Sequence, residues 1–240
     1  SPFSARVKKI PGSSMQVSVP ELERIMGSEI TGKVCLDQPD VEYRAIFSAD
    51  RCYIGRVLFR IDRGGFDKRR PGSRAFFHPG VMMPRMARAL VNISLAREHE
   101  ILLDPFCGTG GIVLEAEMIG INGIGSDMDR TMVQGSRKNV PTGDFILANG
   151  TSLPFCNSSI EAVVTDFPYG QSVFVGAESL DCLYEDVLCE IQRVLMHGRR
   201  AVIVTHRNIS NSAGKLFIIE GSYSQRVHRS LTRQILVLRK

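Results

Sequence analysis

Three aspartates in the second half of the chain each stand where an apolar run stops: Asp104 in LLDPFCGTGG (102–111), Asp127 in GIGSDMD (123–129) and Asp166 in VVTDFPYGQS (163–172). A carboxylate at the carboxyl end of a strand lies where open α/β sheets bind their ligands. After Asp104 come Gly108, Gly110 and Gly111, which let a backbone approach a ligand where a Cβ would clash. After Asp166, Pro168 fixes its own φ and pushes Phe167 into an extended conformation, so one carboxylate and the Tyr169 ring are held side by side by a stiff turn.

The glycine loop does not suit a phosphate cradle. No GK[ST] follows it, and an acid immediately before it would repel a pyrophosphate. An aspartate ahead of the loop suits a cationic, amino-acid-bearing ligand instead. S-adenosylmethionine fits: its ammonium can pair with Asp104, its ribose hydroxyls with Asp127, and its adenine edge with Asn149 in ANGTSLPF (148–155), the loop after the third strand. The structural alternative is a tight turn with solvated acids.

The TDFPYG turn (165–170) offers hydrogen-bond acceptors in the plane of an aromatic amine and a stacking face for its ring. Exocyclic nitrogens of nucleobases are poor nucleophiles, because the lone pair is delocalised. Acceptors that hold both N–H bonds favour the reactive form and the positive charge that develops as a methyl group arrives. Asp166 is also placed to take the departing proton. A base that starts in a helix must be turned out of its stack to reach such a turn.

The elements that must position these groups follow one rhythm from residue 100 onward. Short apolar strands at 101–103, 122–126, 145–148, 161–165 and 200–206 alternate with helical patterns at 111–119, 129–138 and roughly 179–197. That alternation predicts a mostly parallel sheet covered on both faces. KLFIIEG and SLTRQILVLR, with no helix between them, predict a closing antiparallel hairpin. Just upstream, residues 82–97 place Met82, Met86, Ala89, Leu90 and Ile93 on one helical face. Earlier still, strands are expected at 3–10, 33–38, 42–49 and 52–61, with a helix at 20–30.

The Gly/Arg/Pro-rich stretch near residue 63 marks the boundary, giving 1–62 as a small α+β domain, 63–77 as a basic linker and 78–240 as the main domain. Residues 1–99 carry 17 Lys/Arg against 10 Asp/Glu, and the remainder 13 against 15, so the basic excess of the chain sits in its first part. It peaks at Lys68, Arg69, Arg70 and Arg74, which by itself suits a solvated linker and a polyanion partner equally; clustered Lys/Arg gain by displacing phosphate counterions. Six cysteines without a CxxC pair, and five histidines without HxxxH spacing, argue for reduced thiols in a cytoplasmic protein and against a metal site. No apolar run approaches a membrane span.

The set DPFCGTGG, GSDMD, ANGTSLPF and TDFPYG resembles the class I, Rossmann-like methyltransferases that modify amino groups. More narrowly, RAFFHPGVMMPRMARALVNIS (74–94) and VHRSLTRQILVL (227–238) are similar to the archaeal tRNA guanosine-10 N2-methyltransferase family, and the first 55 residues resemble the later part of a THUMP domain. The resemblance implies an α/β fold: a seven-stranded Rossmann-like sheet with a C-terminal antiparallel hairpin, preceded by a small partial THUMP-like domain that docks on tRNA. It implies that Asp104, Pro105, Cys107, Gly108 and Gly110 hold the methionine part of S-adenosylmethionine, with Asp127 on ribose and Met128, Asn149 and Gly150 around adenine. Asp166, Phe167, Pro168 and Tyr169 would engage guanine, and Phe77, His78 and Pro79 would close the pocket. Lys68, Arg69, Arg70, Arg74, Arg229 and Arg233 are the expected RNA contacts.

Two residues depart from that family's pattern. Phe167 stands where the usual D-P-P-Y motif has its first proline, and Asn149 where an aspartate is common. A complete member carries more residues before Ser1, so the RNA platform is expected to be partial. Three other readings compete with methylation of guanosine N2, once or twice, in tRNA: adenine N6 methylation of DNA or RNA, protein glutamine methylation, and a non-catalytic RNA-binding protein that keeps the fold. Dependence on a small activator protein is left open.

Overall fold

The computed structural model describes residues 1–60, 64–169, 180–228 and 231–240. The chain divides into two units, Ser1–Arg63 and Gly64–Lys240.

In the first unit, β1 (Phe3–Lys9) pairs parallel with β2 (Val41–Ser48), which pairs antiparallel with β3 (Arg51–Arg56). Helix α1 (Val19–Ser28) begins where the Ser18 side chain accepts from the Glu21 N–H, with Pro20 in its first turn, where a missing N–H costs nothing. Two expectations fail here. Residues 33–38 form no strand, only a bridge between Val34 and Phe3, and the strand expected to reach residue 61 stops at Arg56. In both segments the apolar side chains, Val34 and Leu36 in one and Leu58 and Phe59 in the other, stay exposed, so pairing would bury little there.

The second unit is built on a seven-stranded sheet in the order β6-β5-β4-β7-β8-β10-β9. Its strands are β4 (Ile101–Asp104), β5 (Asn122–Asp127), β6 (Asp144–Leu147), β7 (Ile160–Asp166), β8 (Leu195–Thr205), β9 (Ile218–His228) and β10 (Leu231–Arg239). Strands β4 to β8 run parallel, and β10 pairs antiparallel with both β8 and β9. The hairpin expected at the sheet edge is there, with β10 tucked inside it.

Alternation along β7 assigns the two faces. Ala162 and Val164 pack with Leu90, Val91 and Ile112 under α3 (Pro84–Ile93) and α4 (Gly111–Glu117). Val163 packs with Tyr184, Leu188 and Ile191 under α6 (Leu180–Val194). A third cluster of Cys107, Val113, Val133, Val140 and Phe145 lies beneath α5 (Arg130–Asn139). Helix α3 turns the expected face inward at Met86, Leu90 and Ile93, with Met82 buried just ahead of it; Ala87 and Val91 widen the buried stripe, and Ala89 alone of the five expected residues is exposed.

Residues 64–77 are not a linker. Helix α2 (Gly64–Lys68) and a turn of 3₁₀ helix at Pro71–Ser73 belong to the second unit and are tied to it by side chains. Arg69 and Arg88 both meet the fully buried Glu115 of α4 at 2.8 Å, and the Phe66 ring lies under both guanidinium groups. Phe76 is held by Asn139, whose amide accepts from the Phe76 N–H and donates to the Phe76 and Thr109 carbonyls. Gly135 sits mid-helix in α5 because the Phe76 ring fills its place: a Cβ there would meet that ring at 2.1 Å. The basic count around residue 70 could not distinguish paired from solvated arginines, since Glu115 lies far away in sequence.

Candidate active site

Neighbouring strands β4 and β7, paired at Leu102–Ala162 and Leu103–Val163, end in Asp104 and Asp166; β5, on the other side of β4, ends in Asp127. One sheet edge therefore carries all three aspartates found from the sequence.

Asp104 is 2% exposed and accepts from the Phe106 N–H at 3.2 Å. Burial raises its pKa to about 7, and the negative fields of Asp166 and Asp127 push the same way. A cationic ligand would relieve both effects. Gly108 has φ +50°, and a Cβ built on it would meet nothing within 4 Å, so the loop backbone faces open space. Its N–H donates to Asp127 Oδ2 at 3.0 Å, while Asp127 Oδ1 accepts from Asp129. Both Asp127 oxygens are thereby oriented, and each keeps a lone pair for a hydroxyl donor. Met128 is 63% exposed beside it, an apolar platform next to a carboxylate. These features fit an ammonium, a ribose and a purine, the parts of S-adenosylmethionine.

Other expected ligands of the cofactor have structural duties. Cys107 is buried in the α5 cluster, its thiol near Ser136 and its pKa driven up by burial. Pro105 is buried. Gly110, at φ +77°, caps α4, and a Cβ there would press on Ser136 and Phe145. Gly150 lies under the Phe106 ring, which a Cβ would meet at 2.5 Å. Asn149 is exposed, and its Oδ1 accepts from the Thr151 N–H, which fixes the loop. Phe77 and His78 are exposed, and the His78 contact is a local one, Nδ1 at 2.9 Å from the Pro79 carbonyl. The cleft role expected for these two gains nothing from that geometry.

The turn after β7 is more tightly held than its sequence suggests. The Phe167 N–H donates to the Val204 carbonyl, and its ring is buried between Phe106, edge-on at 5.7 Å, and Tyr184 at 5.0 Å. Packing supplies the stiffness that a proline at this position would give. The Tyr184 hydroxyl donates to the Pro168 carbonyl at 2.6 Å. Tyr169 donates to Asp166 Oδ1 at 2.8 Å, and its ring centre lies 4.9 Å from that of His206.

Of the arginines expected on RNA, Arg69, Arg74 and Arg233 point inward. Arg74 donates to the Arg69 carbonyl and reaches Thr109 of the glycine loop. Arg233 is 7% exposed, with Nη2 3.3 Å from Asp166 Oδ2 and Nε donating to the Tyr169 hydroxyl at 3.0 Å. Lys68 and Arg70 remain exposed, Arg70 in an ion pair with Asp67, and Arg229 lies outside the described residues.

The sequence reading passed over Phe106, Tyr184 and His206. His206 follows β8 at the same sheet edge as the aspartates, a signal that was present; Tyr184 carried only a helical core pattern. Among the described residues, no group of three or more His, Cys, Asp or Glu side chains is placed to hold a metal ion, and no helix is long and apolar enough to cross a membrane.

A parallel sheet continued by an antiparallel hairpin, with a glycine loop after one central strand and an aspartate–aromatic turn after its neighbour, defines a Rossmann-like methyltransferase. A family model described as RMKL-like, methyltransferase domain, matches residues 71–235, and the chain belongs to that family. The chain is 35% identical to the tRNA (guanine(10)-N2)-dimethyltransferase of Methanothermobacter thermautotrophicus, covering 99% of this chain and 73% of that protein. It is 32% identical to the protein of the same name from Methanocaldococcus jannaschii, covering 99% and 70%. Among solved structures, TrmN from Thermus thermophilus shares the fold with a TM-score of 0.59 at 22% identity, covering 99% of this chain and 72% of that one.

Proposed function

We propose that the protein transfers methyl groups from S-adenosylmethionine to the exocyclic N2 of guanosine 10 in tRNA, once or twice at the same nitrogen. The observation that carries the chemistry is the clamped Asp166 carboxylate on the strand next to Asp104. The observation that selects the substrate is identity of 35% and 32% to relatives named for that reaction.

The cofactor, when bound, supplies an electrophilic methyl group. Asp104 pairs with its ammonium, Asp127 holds the ribose, and Met128 lies against adenine. The Tyr169 ring, backed by His206, offers the guanine a stacking face. Asp166 accepts an N–H of the amine and aligns its nitrogen for attack on the methyl carbon. As the N–C bond forms and the C–S bond breaks, a proton leaves the nitrogen for Asp166 or solvent. The first unit, read as THUMP-like, supplies RNA affinity: Arg6, Lys8, Arg44 and Arg60 line one depression on it beside Glu23 and Asp37, and with Arg44 and Arg60 paired to Glu42, Arg6 and Lys8 are the cations left to meet phosphates. The exposed Lys68 and Arg70 add to this, and a cytoplasmic location follows from the substrate.

The test is incubation with labelled S-adenosylmethionine and bulk tRNA, then identification of the modified nucleoside by mass. N2-methylguanosine or its dimethyl form is expected; methyladenosine or no product refutes the reading. Asp166→Ala should lower single-turnover transfer by at least about 100-fold, the usual cost of losing a transition-state acceptor, with cofactor affinity unchanged by calorimetry.

A further inference from the structure

Asp166 closes a three-membered ring with Tyr169 and Arg233. Tyr169 donates to Asp166 Oδ1, Arg233 Nη2 faces Oδ2, and Arg233 Nε donates back to the Tyr169 hydroxyl. Arg233 comes from β10, 67 residues away, and reaches this point because β10 pairs with β8, Gln234 opposite Thr205, while β8 flanks β7. Its guanidinium is nearly excluded from solvent, which removes it from any RNA surface. A lysine could meet one of these acceptors; the guanidinium fork meets a carboxylate and a hydroxyl together.

Burial and the neighbouring carboxylates favour the neutral form of Asp166. Asp104 faces it from β4, with Asp127 beyond on β5. Tyr169 and Tyr184 present hydroxyl groups, and His206 is kept neutral by burial and by Arg207. Burial raises the Asp166 pKa; Arg233 is the charge that opposes it, and the hydrogen bond from Tyr169 acts in the same direction to a smaller extent. Asp104, which has no such cation bonded to it among the described residues, shows what happens otherwise: a carboxyl that holds its proton to about pH 7. A protonated Asp166 has one acceptor fewer and cannot take a proton.

We infer that Arg233 is a positioning residue for methyl transfer, holding Asp166 ionised and anchored through Oδ2 so that Oδ1 is presented to the substrate amine. Tyr169 donates to one lone pair of Oδ1 and is itself held by Arg233 Nε, which leaves the second lone pair of Oδ1 for the amine. The inference rests on the reading that Asp166 receives the amine.

The experiment is the pH profile of single-turnover transfer, with saturating cofactor and tRNA, for the wild type, Arg233→Gln and Arg233→Lys. In the wild type the rate falls on the acid side as Asp166 is protonated. Arg233→Gln should move that limb up by about one to two pH units, the range an adjacent opposite charge commands. Arg233→Lys should restore it to within about half a unit. A structural role alone would lower the rate by the same factor at every pH, and an unmoved limb overturns the inference. Independently of turnover, the carboxyl carbon of Asp166 in ¹³C-aspartate-labelled protein should titrate at higher pH in Arg233→Gln; an unchanged midpoint also overturns it. Asp166→Asn separates the two claims. If that variant keeps full turnover, the reading of Asp166 itself fails. If it is inactive while Arg233→Gln leaves the limb in place, only the role of Arg233 fails.

Discussion

Replacing Asp104 with asparagine should make the ligand-free protein more stable, and the gain should grow with pH. The carboxyl is buried and its pKa stands at about 7 against an ordinary 3.8. A folded state that binds the proton more tightly than the unfolded chain is favoured at low pH and loses that advantage as pH rises through roughly 4 to 7. With 1.36 kcal/mol for each tenfold difference in proton affinity, the loss from this group between about pH 5 and pH 8 is about 2.5 kcal/mol. Asparagine keeps the acceptor for the Phe106 N–H and removes the titration. Asp127 and Asp166 lose a like-charged neighbour, which flattens the variant's profile further in the same direction. For a unit of this size the difference is on the order of 5–10 °C in melting temperature. The assay is thermal unfolding of both proteins without cofactor across that pH range, plotted as a difference so that other groups cancel. Parallel curves would refute the claim that Asp104 is ionised at a cost. With cofactor present the order should invert, because the wild type alone offers the ammonium a charge.

Three further outcomes follow from the packing. Gly135→Ala, ordinarily favourable inside a helix, should destabilise by about 1–3 kcal/mol, because its methyl group displaces the Phe76 ring; a denaturant midpoint at or above wild type would contradict this. Glu115→Ala should cost about 2–4 kcal/mol by leaving the partly buried Arg69 and Arg88 without a counter-ion, read from the same unfolding curves. Charge reversal at Lys68 and Arg70 should weaken tRNA binding and flatten its salt dependence while leaving the melting temperature within a degree or two, since both side chains are exposed; identical salt slopes would remove them from the RNA surface.

What could be read beforehand was whatever depends on local order in the chain. The glycine loop, the three strand-terminal aspartates and the closing hairpin are written in apolar runs and the residues that interrupt them. Which way a polar side chain faces is not written there. Arg69 and Arg74 looked like a polyanion surface by count, and Arg233 by family resemblance, yet each is turned inward by a partner brought from elsewhere: Glu115, Thr109 and Asp166. Cys107, Gly110 and Gly150 were expected near the cofactor from the family resemblance. The structure gives them the supporting job of letting Ser136, Phe145 and Phe106 approach. Residues 33–38 show the remaining limit: a β-compatible run whose apolar side chains stay exposed meets its neighbour at a single bridge and forms no strand.

The position of β10 between β8 and β9 has a consequence for assembly. β9 precedes β10 in the chain yet touches the sheet only through it. Until β10 arrives, β8 is a bare margin, β9 is a ribbon with nothing to join, and Asp166 lacks its counter-charge. Sheet completion and the pairing of the Asp166 carboxylate with Arg233 are therefore one event, and amides of β9 and β10 should gain protection from hydrogen exchange together.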